Sequence, residues 1–311
     1  MKKLNFDLTI APNALLCPNP SEWYAKAYIN QETADNFKVI PGVKSSTKVA
    51  TATFPSVLKA ETCDFSSSST ALDAITMSVC PLQAQVQICK KDIESSFVSL
   101  EMAKGSMNWT VQSFMNHYWE LLGGEIQSEI VDLMWKGNTA GTGATYTGDY
   151  AYRTLCNGFE KLLLANASVV DVTLTASTVA NVIDNLTAVL LAAPTAIQSA
   201  RKADLRFYVA SNVFTAFQIA ASKGNTINYV TELLGPNFAG IKIVEAPGMS
   251  SNKIVLTRKD NLVYLLDGEN DSTDLKAIDL TETTGQPLLR TAVYLKVGFG
   301  ILNPSEIVYF N

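Results

Sequence analysis

The stretch FAGIKIVEAPGMSSNKIVLTRKDNLVYLL, Phe238 to Leu266, decides how this chain folds. Its apolar runs, around Ile241–Val244, Lys253–Thr257 and Leu262–Leu266, are separated by a Pro-Gly corner and a charged turn, Arg258-Lys259-Asp260-Asn261. Short apolar runs bounded by turn residues read as buried strands. The pattern predicts three strands parted by a corner and a charged turn, and it carries no group suited to catalysis.

Working outward, LRFYVA (Leu205 to Ala210) predicts another buried strand. Ser211 opens a helix that Gly224 closes. Upstream, the spacing predicts a helix over Tyr152–Ala165, a strand over Val169–Leu174, and a helix over Ser177–Ala193 with Ser177 as its cap and Pro194 at its end. Downstream, Leu275–Leu280, Leu288–Phe299 and Ile301–Tyr309 complete the strands. No internal repeat is visible.

The first half has a different character. KVATATFPSVLK (Lys48 to Lys59) and ITMSVCPLQAQVQI (Ile75 to Ile88) alternate like strands around the break CDFSSSST, which predicts one long two-stranded ribbon. A lone ribbon is marginal in water and needs something outside itself to lie on. Phe114, Tyr118, Leu121, Leu122, Ile126, Ile130, Leu133 and Met134 then recur at helical spacing, predicting one helix from near Ser106 to Lys136. Gly123-Gly124 within it predicts a bend or a close packing contact. KGNTAGTGATYTGDY reads as a loop, and the segment before Lys44 as an arm with a short helix from Ser21.

Composition narrows the function. Charged residues are 17% of the 311 and hydrophobic ones 47%, with a net charge of −5; mean hydropathy is +0.12. So little charge points to an exterior covered in part by partners. No Lys/Arg cluster marks a dedicated nucleic-acid binder. The N-terminus MKKLNFDLTI lacks the pattern of a signal peptide, and no run reaches membrane-spanning length, so the expected site of synthesis is a cytoplasm. Cys17, Cys63, Cys80, Cys89 and Cys156 have no metal-binding spacing and read as packed, reduced thiols; Cys80 and Cys89, nine apart on one strand, point to opposite faces. The Asn-x-Ser/Thr triplets at Asn108, Asn166 and Asn185 are then incidental.

A search for chemistry finds little. His117, the single histidine, lies within the long helix and reads as a packed or surface helix residue. No nucleophile-elbow, zinc-protease or P-loop motif occurs, and the glycine-rich loop after Gly137 lacks the Lys-Ser/Thr of a phosphate cradle. DGENDSTD (Asp267 to Asp274) gathers the oxygens that Ca²⁺ prefers, but lacks the spacing of a calcium loop and reads as a solvated turn. A chain rich in elements and empty of catalytic groups reads as a building part.

ADLRFYVASNVFTAFQIA (Ala203 to Ala220), FAGIKIVEAPGM with IVLTRKDNLVY (Phe238 to Tyr264), and ITMSVCPLQAQVQICKKDIESSF (Ile75 to Phe97) resemble, in this order, segments of the tailed-bacteriophage major capsid protein family, the Hong Kong 97-type fold. The resemblance spans nearly the whole chain. It implies an α+β fold with an N-terminal arm over 1–44, an E-loop hairpin over 45–90, a P-domain with a spine helix over 91–147, an A-domain over 148–285, and C-terminal strands over 286–311 that return to the P-domain. It implies self-assembly through pentamers and hexamers into an icosahedral head around double-stranded DNA, held without sequence preference on the inner face.

Portal, decoration and scaffolding proteins follow as partners. The scaffold would be a separate protein, because the chain starts at once with the arm where many relatives carry a fused scaffolding segment. The implied location is the virion capsid, assembled in the host cytoplasm, with no membrane, cofactor, metal or catalytic residue. Trp23, Phe54, Lys59 and Phe65 are the implied inter-subunit contacts. Some relatives join a Lys to an Asn beside a Glu, and Lys59, Asn303 and Glu306 are the residues that would do so here. The alternatives are an encapsulin-type nanocompartment shell and, more remotely, a cytoplasmic α/β enzyme.

Overall fold

The computed structural model describes residues 14–16, 23–24, 27, 35–53, 58, 61, 71–89, 111–141, 148–173, 175–223, 236–267, 276–280 and 284–310, with the side chains of 14–16, 51–53, 71–73, 111–117, 148–149, 223 and 276 excepted. In chain order the elements are β1 (Ala14–Leu16), β2 (Lys38–Ile40), β3 (Ser46–Thr53), β4 (Ala71–Ser78), β5 (Cys80–Cys89), α1 (Val111–Lys136), a 3-10 turn (Gly148–Thr154), α2 (Phe159–Ala165), β6 (Val170–Val172), α3 (Val182–Leu191) and α4 (Thr195–Gln198). There follow β7 (Leu205–Val209), α5 (Ser211–Lys223), β8 (Asn237–Phe238), β9 (Ile241–Glu245), β10 (Ile254–Arg258), β11 (Leu262–Leu266), β12 (Lys276–Asp279), β13 (Leu288–Ile301) and β14 (Ile307–Phe310).

The three apolar runs of Phe238–Leu266 are strands β9, β10 and β11, but they belong to two sheets. One sheet has the order β6-β14-β10-β7-β9-β8, the other β1-β12-β13-β11-β2 with β5 also paired to β13, and β3-β4 form a separate ribbon. The charged turn after β10 is therefore a crossing between sheets and not a hairpin within one. Strands β9 and β10 are not neighbours either, because β7 lies between them.

Asn261 explains why a three-residue link turns the corner. Its side-chain amide donates to Thr257 Oγ1 at 2.8 Å and to the Asn303 carbonyl at 2.9 Å, and its side-chain oxygen accepts from the Asn303 N–H at 2.6 Å. The passage from β13 to β14, through Asn303, is also a crossing between sheets. Both crossings run side by side, pinned by one buried amide. Segments before and after residue 285 consequently share both sheets: β11 and β12 pair with β13, while β14 pairs with β10 and β6.

Alternation along β11 places its side chains in two cores. Leu262, Tyr264 and Leu266 join the main core, and Val263 and Leu265 form a smaller one with Val43 and Met77. Helix α1 runs unbroken for 26 residues, about 39 Å, with Tyr118, Trp119, Ile126, Ile130, Leu133, Met134 and Trp135 buried. Gly123 gives the close contact, not the bend: a Cβ there would lie 2.9 Å from the Trp23 indole nitrogen.

The predicted Tyr152–Ala165 helix is split, because Gly158 donates its N–H to the Gly137 carbonyl at 2.8 Å and a Cβ on either glycine would strike backbone. The helix expected from Ser177 begins at Val182. Ser177 does not cap it; its hydroxyl instead accepts from Asn185 at 3.0 Å.

The described part of the predicted N-terminal arm is bound to its own chain. Strand β2 pairs in parallel with β11, Phe37 stacks on Phe159 and Tyr208, and the Tyr208 hydroxyl donates to the Asn36 carbonyl.

Candidate assembly surfaces

The ribbon β3-β4 pairs antiparallel from Ser46 opposite Ser78 to Thr53 opposite Ala71. Among its described side chains, cover is found at the base. Met77 is buried against Val43, Val263 and Leu265, with Val49 and Ile75 packed at the edge of that cluster, whereas Ser46, Lys48, Ala50, Ala74, Thr76 and Ser78 are exposed. The predicted single ribbon is thus shorter than its sequence pattern. At Val79, whose N–H donates to the Ser45 carbonyl at 2.9 Å, the chain leaves the ribbon, and β5 continues along β13 from Cys80 opposite Val297 to Cys89 opposite Leu288. The crossing needs glycine on β13: a Cβ on Gly298 would meet the Ser78 carbonyl oxygen at 2.5 Å, and one on Gly300 the Met77 sulfur at 2.3 Å.

Strands β5 and β13 present opposite faces to different surroundings. Leu82, Ala84 and Ile88 on β5 and Leu289, Val293 and Leu295 on β13 pack into the main core with Ile126, Ile130 and Leu133 of α1. The other face carries Gln83, Gln85 and Gln87 beside Arg290, Ala292 and Tyr294, with Ile278 of β12 next to Arg290. Arg290 Nε donates to Gln87 at 2.7 Å, Tyr294 is 65% exposed and Ile278 50%. This is a broad, nearly uncharged sheet face without cover among the described residues.

Cysteine chemistry departs from expectation. Cys80 and Cys156 form a disulfide, with Cα atoms 5.9 Å apart across 76 residues of sequence, so two of the predicted thiols are not reduced. Spacing gave no sign of it, because the fold brings the start of β5 to the loop before α2. Cys89 is the described cysteine left unbonded.

Of the contacts expected between subunits, Trp23 is an intrachain residue. It is 8% exposed, its ring meets Tyr24 and Trp119 edge to face, and its indole N–H donates to the Trp119 carbonyl. A buried indole needs an acceptor, and helix α1 supplies one. Phe54, Lys59 and Phe65 lie outside the described residues, as does the His117 side chain. Of the expected cross-linking set, Asn303 holds the sheet crossing through its main chain, and Glu306 forms an ion pair with Arg258, its carboxylate 2.9 Å from Nε. Of the acidic loop, Asp267 is described and pairs with Lys296 at 2.8 Å. No group of three or more metal-ligating side chains occurs among the described residues, nor does a helix long and apolar enough to cross a membrane.

The concentrated charge is structural. Asp132 on α1 accepts from Lys136 at 3.0 Å, Arg153 Nη2 at 3.0 Å and the Tyr152 hydroxyl at 2.9 Å. Burial by itself raises its carboxyl, but the three donors outweigh burial and hold it below the ordinary aspartate range. The Tyr152 phenol is pushed up to about 12, by burial first and then by Asp132.

A depressed carboxyl stabilises the fold above its unfolded pKa, and that stability is lost as pH falls through the folded value. Asp132→Asn is therefore expected to cost about 2 kcal/mol at neutral pH and almost nothing at strongly acidic pH, checked by denaturant titrations across pH. Glu160 has the opposite sign. Burial raises it against hydrogen bonds from the Ser250 N–H at 2.6 Å and hydroxyl at 2.8 Å.

No protein-family profile and no curated protein matches the sequence. Solved structures do. A chain of the satellite phage P4 procapsid is 8% identical, with 93% of this chain and 96% of that one covered at a TM-score of 0.60. The capsid of the native GTA particle is 13% identical, covering 92% and 89% at 0.54. The virus-like particle from Pyrococcus furiosus is 11% identical, covering 94% and 97% at 0.52. At such identity the likeness speaks for the fold alone, and it extends over nearly the full length of every chain compared. With a ribbon, a long helix and two interlocked sheets in this order, the chain has the α+β Hong Kong 97-type capsid fold.

Proposed function

We propose that this protein is a shell subunit, the major capsid protein of a tailed phage, which assembles through pentamers and hexamers into an icosahedral head around double-stranded DNA. The observation that carries the reading is the ribbon β3-β4, whose described side chains are covered at the base and exposed at Ser46, Lys48, Ala50, Ala74, Thr76 and Ser78, on a body whose β5-β13 face has no cover among the described residues. A two-stranded ribbon gains stability by lying on further surface, and neighbouring copies offer it repeatedly. Contacts that are not self-complementary close into rings, and rings that meet at an angle close into a shell. In this reading 45–78 is the projecting loop, α1 the spine, and the sheet centred on β10 the core of the A-domain. The protein has no catalytic part in it, and portal, scaffold and DNA act as partners in the virion. A protein-filled compartment shell is the second reading, favoured by the likeness to the Pyrococcus furiosus particle.

The test uses the register. Val49 faces Ile75, so residues 50–74 are replaced by Asn-Gly, which suits a two-residue hairpin turn and spares the small core at the base. The shortened chain is expected to remain folded by circular dichroism and to form no shells by electron microscopy, whereas the full chain forms DNA-filled ones. Normal shells from the shortened chain, or a full chain that stays monomeric when concentrated, would overturn the proposal. Shells filled with protein and free of DNA would select the second reading.

A further inference from the structure

We propose that Cys80 and Cys156 form a redox latch that sets the rigidity of the hinge between the β3-β4 ribbon and the body. The latch is a property of the single subunit and does not depend on the shell reading. Cys80 is the first residue of β5, directly after Val79, where the chain leaves the ribbon for the main sheet. Its neighbour Pro81 faces Lys296, whose carbonyl accepts from the Asp267 N–H on the far edge of β13, so Pro81 takes a non-hydrogen-bonded position and its nitrogen points away from β13. The disulfide joins this hinge to a rigid point. Cys156 is 3% exposed and lies two residues before Gly158, whose N–H bonds the Gly137 carbonyl just past the end of α1. With the bond made, the ribbon's root is tied to α1 and α2. With it broken, the start of β5 is held to the body by its ladder to β13 alone.

Unequal burial orders the chemistry. Cys80 is half-buried, so its thiolate is the one to attack an oxidising disulfide such as oxidised glutathione, forming a mixed disulfide and expelling one glutathione thiolate. The buried Cys156 thiolate then displaces the second glutathione. The two cysteines lose two protons and two electrons, and the reagent's S–S bond takes them up as two thiols.

Full-length protein is reduced, then treated with oxidised glutathione and mapped by mass spectrometry. The expected result is a Cys80–Cys156 linkage in the wild type, a glutathione adduct on Cys80 in Cys156→Ser, and an unmodified Cys156 in Cys80→Ser. Hydrogen exchange of the wild type, with and without reductant, requires no substitution. Reduction is expected to speed exchange of the segments around residues 44–49 and 75–84 about tenfold, leaving β10 and β14 unchanged. Full alkylation of both cysteines after oxidation overturns the proposal. So does an unmodified Cys80 in Cys156→Ser, or exchange that rises equally throughout the chain or not at all.

Discussion

Asn261→Leu is expected to be among the most damaging single substitutions in this protein, lowering stability by about 3 to 5 kcal/mol. Leucine fills nearly the same space but offers nothing to the Asn303 N–H, the Asn303 carbonyl or the Thr257 hydroxyl, all of which the amide now satisfies. Each buried polar group left without a partner costs about 1 to 3 kcal/mol. Thr257 retains its own donation to the Glu306 carbonyl at 3.0 Å, so its loss is the smallest of the three. Asn261 is 4% exposed, and water does not readily replace the missing bonds.

Thermal melting and the soluble fraction on expression check the size of the loss. Hydrogen exchange checks its place, because the two crossings 258–261 and 302–306 are expected to open first. An Asn261→Leu protein as stable as the wild type would mean that β10–β11 and β13–β14 turn their corners without this amide.

Gly248→Val is expected to cost about 3 kcal/mol or more. The Pro-Gly corner after β9 lies against the backbone of α1, and a Cβ on Gly248 would sit 2.2 Å from the Val131 carbonyl oxygen and 3.0 Å from Asp132 Cα. Neither atom belongs to a side chain that is free to rotate. The corner must back away from the helix, which also pulls Ser250 from the Glu160 carboxylate. Gly124→Ala is the internal control. Nothing lies within 4 Å of the Cβ it would add, and alanine within a helix is favoured over glycine by about 1 kcal/mol. One glycine substitution is thus expected to lower the melting temperature and the other to raise it. Equal effects would rule out the close approach at Gly248 as the cause.

What the chain determines by itself is local. Apolar runs bounded by Pro-Gly and Arg-Lys-Asp-Asn produced β9, β10 and β11 near their predicted limits, and three- and four-residue spacing produced α1, because both patterns follow from backbone period and burial. The absence of a catalytic motif, the low charge and the order of elements were equally legible, and they pointed to the fold that the solved capsid structures share.

Tertiary structure decided how those pieces meet. No period distinguishes a hairpin turn from a crossing between sheets, so the turn after Arg258 needed its partner Asn303, 42 residues away, to reveal its role. The pairing of Cys80 with Cys156, the burial of Trp23 against α1, and the point at which ITMSVCPLQAQVQI leaves one sheet for another are likewise contacts between distant segments. Spacing along a chain records which side of an element an apolar residue takes; only packing in three dimensions determines what it faces.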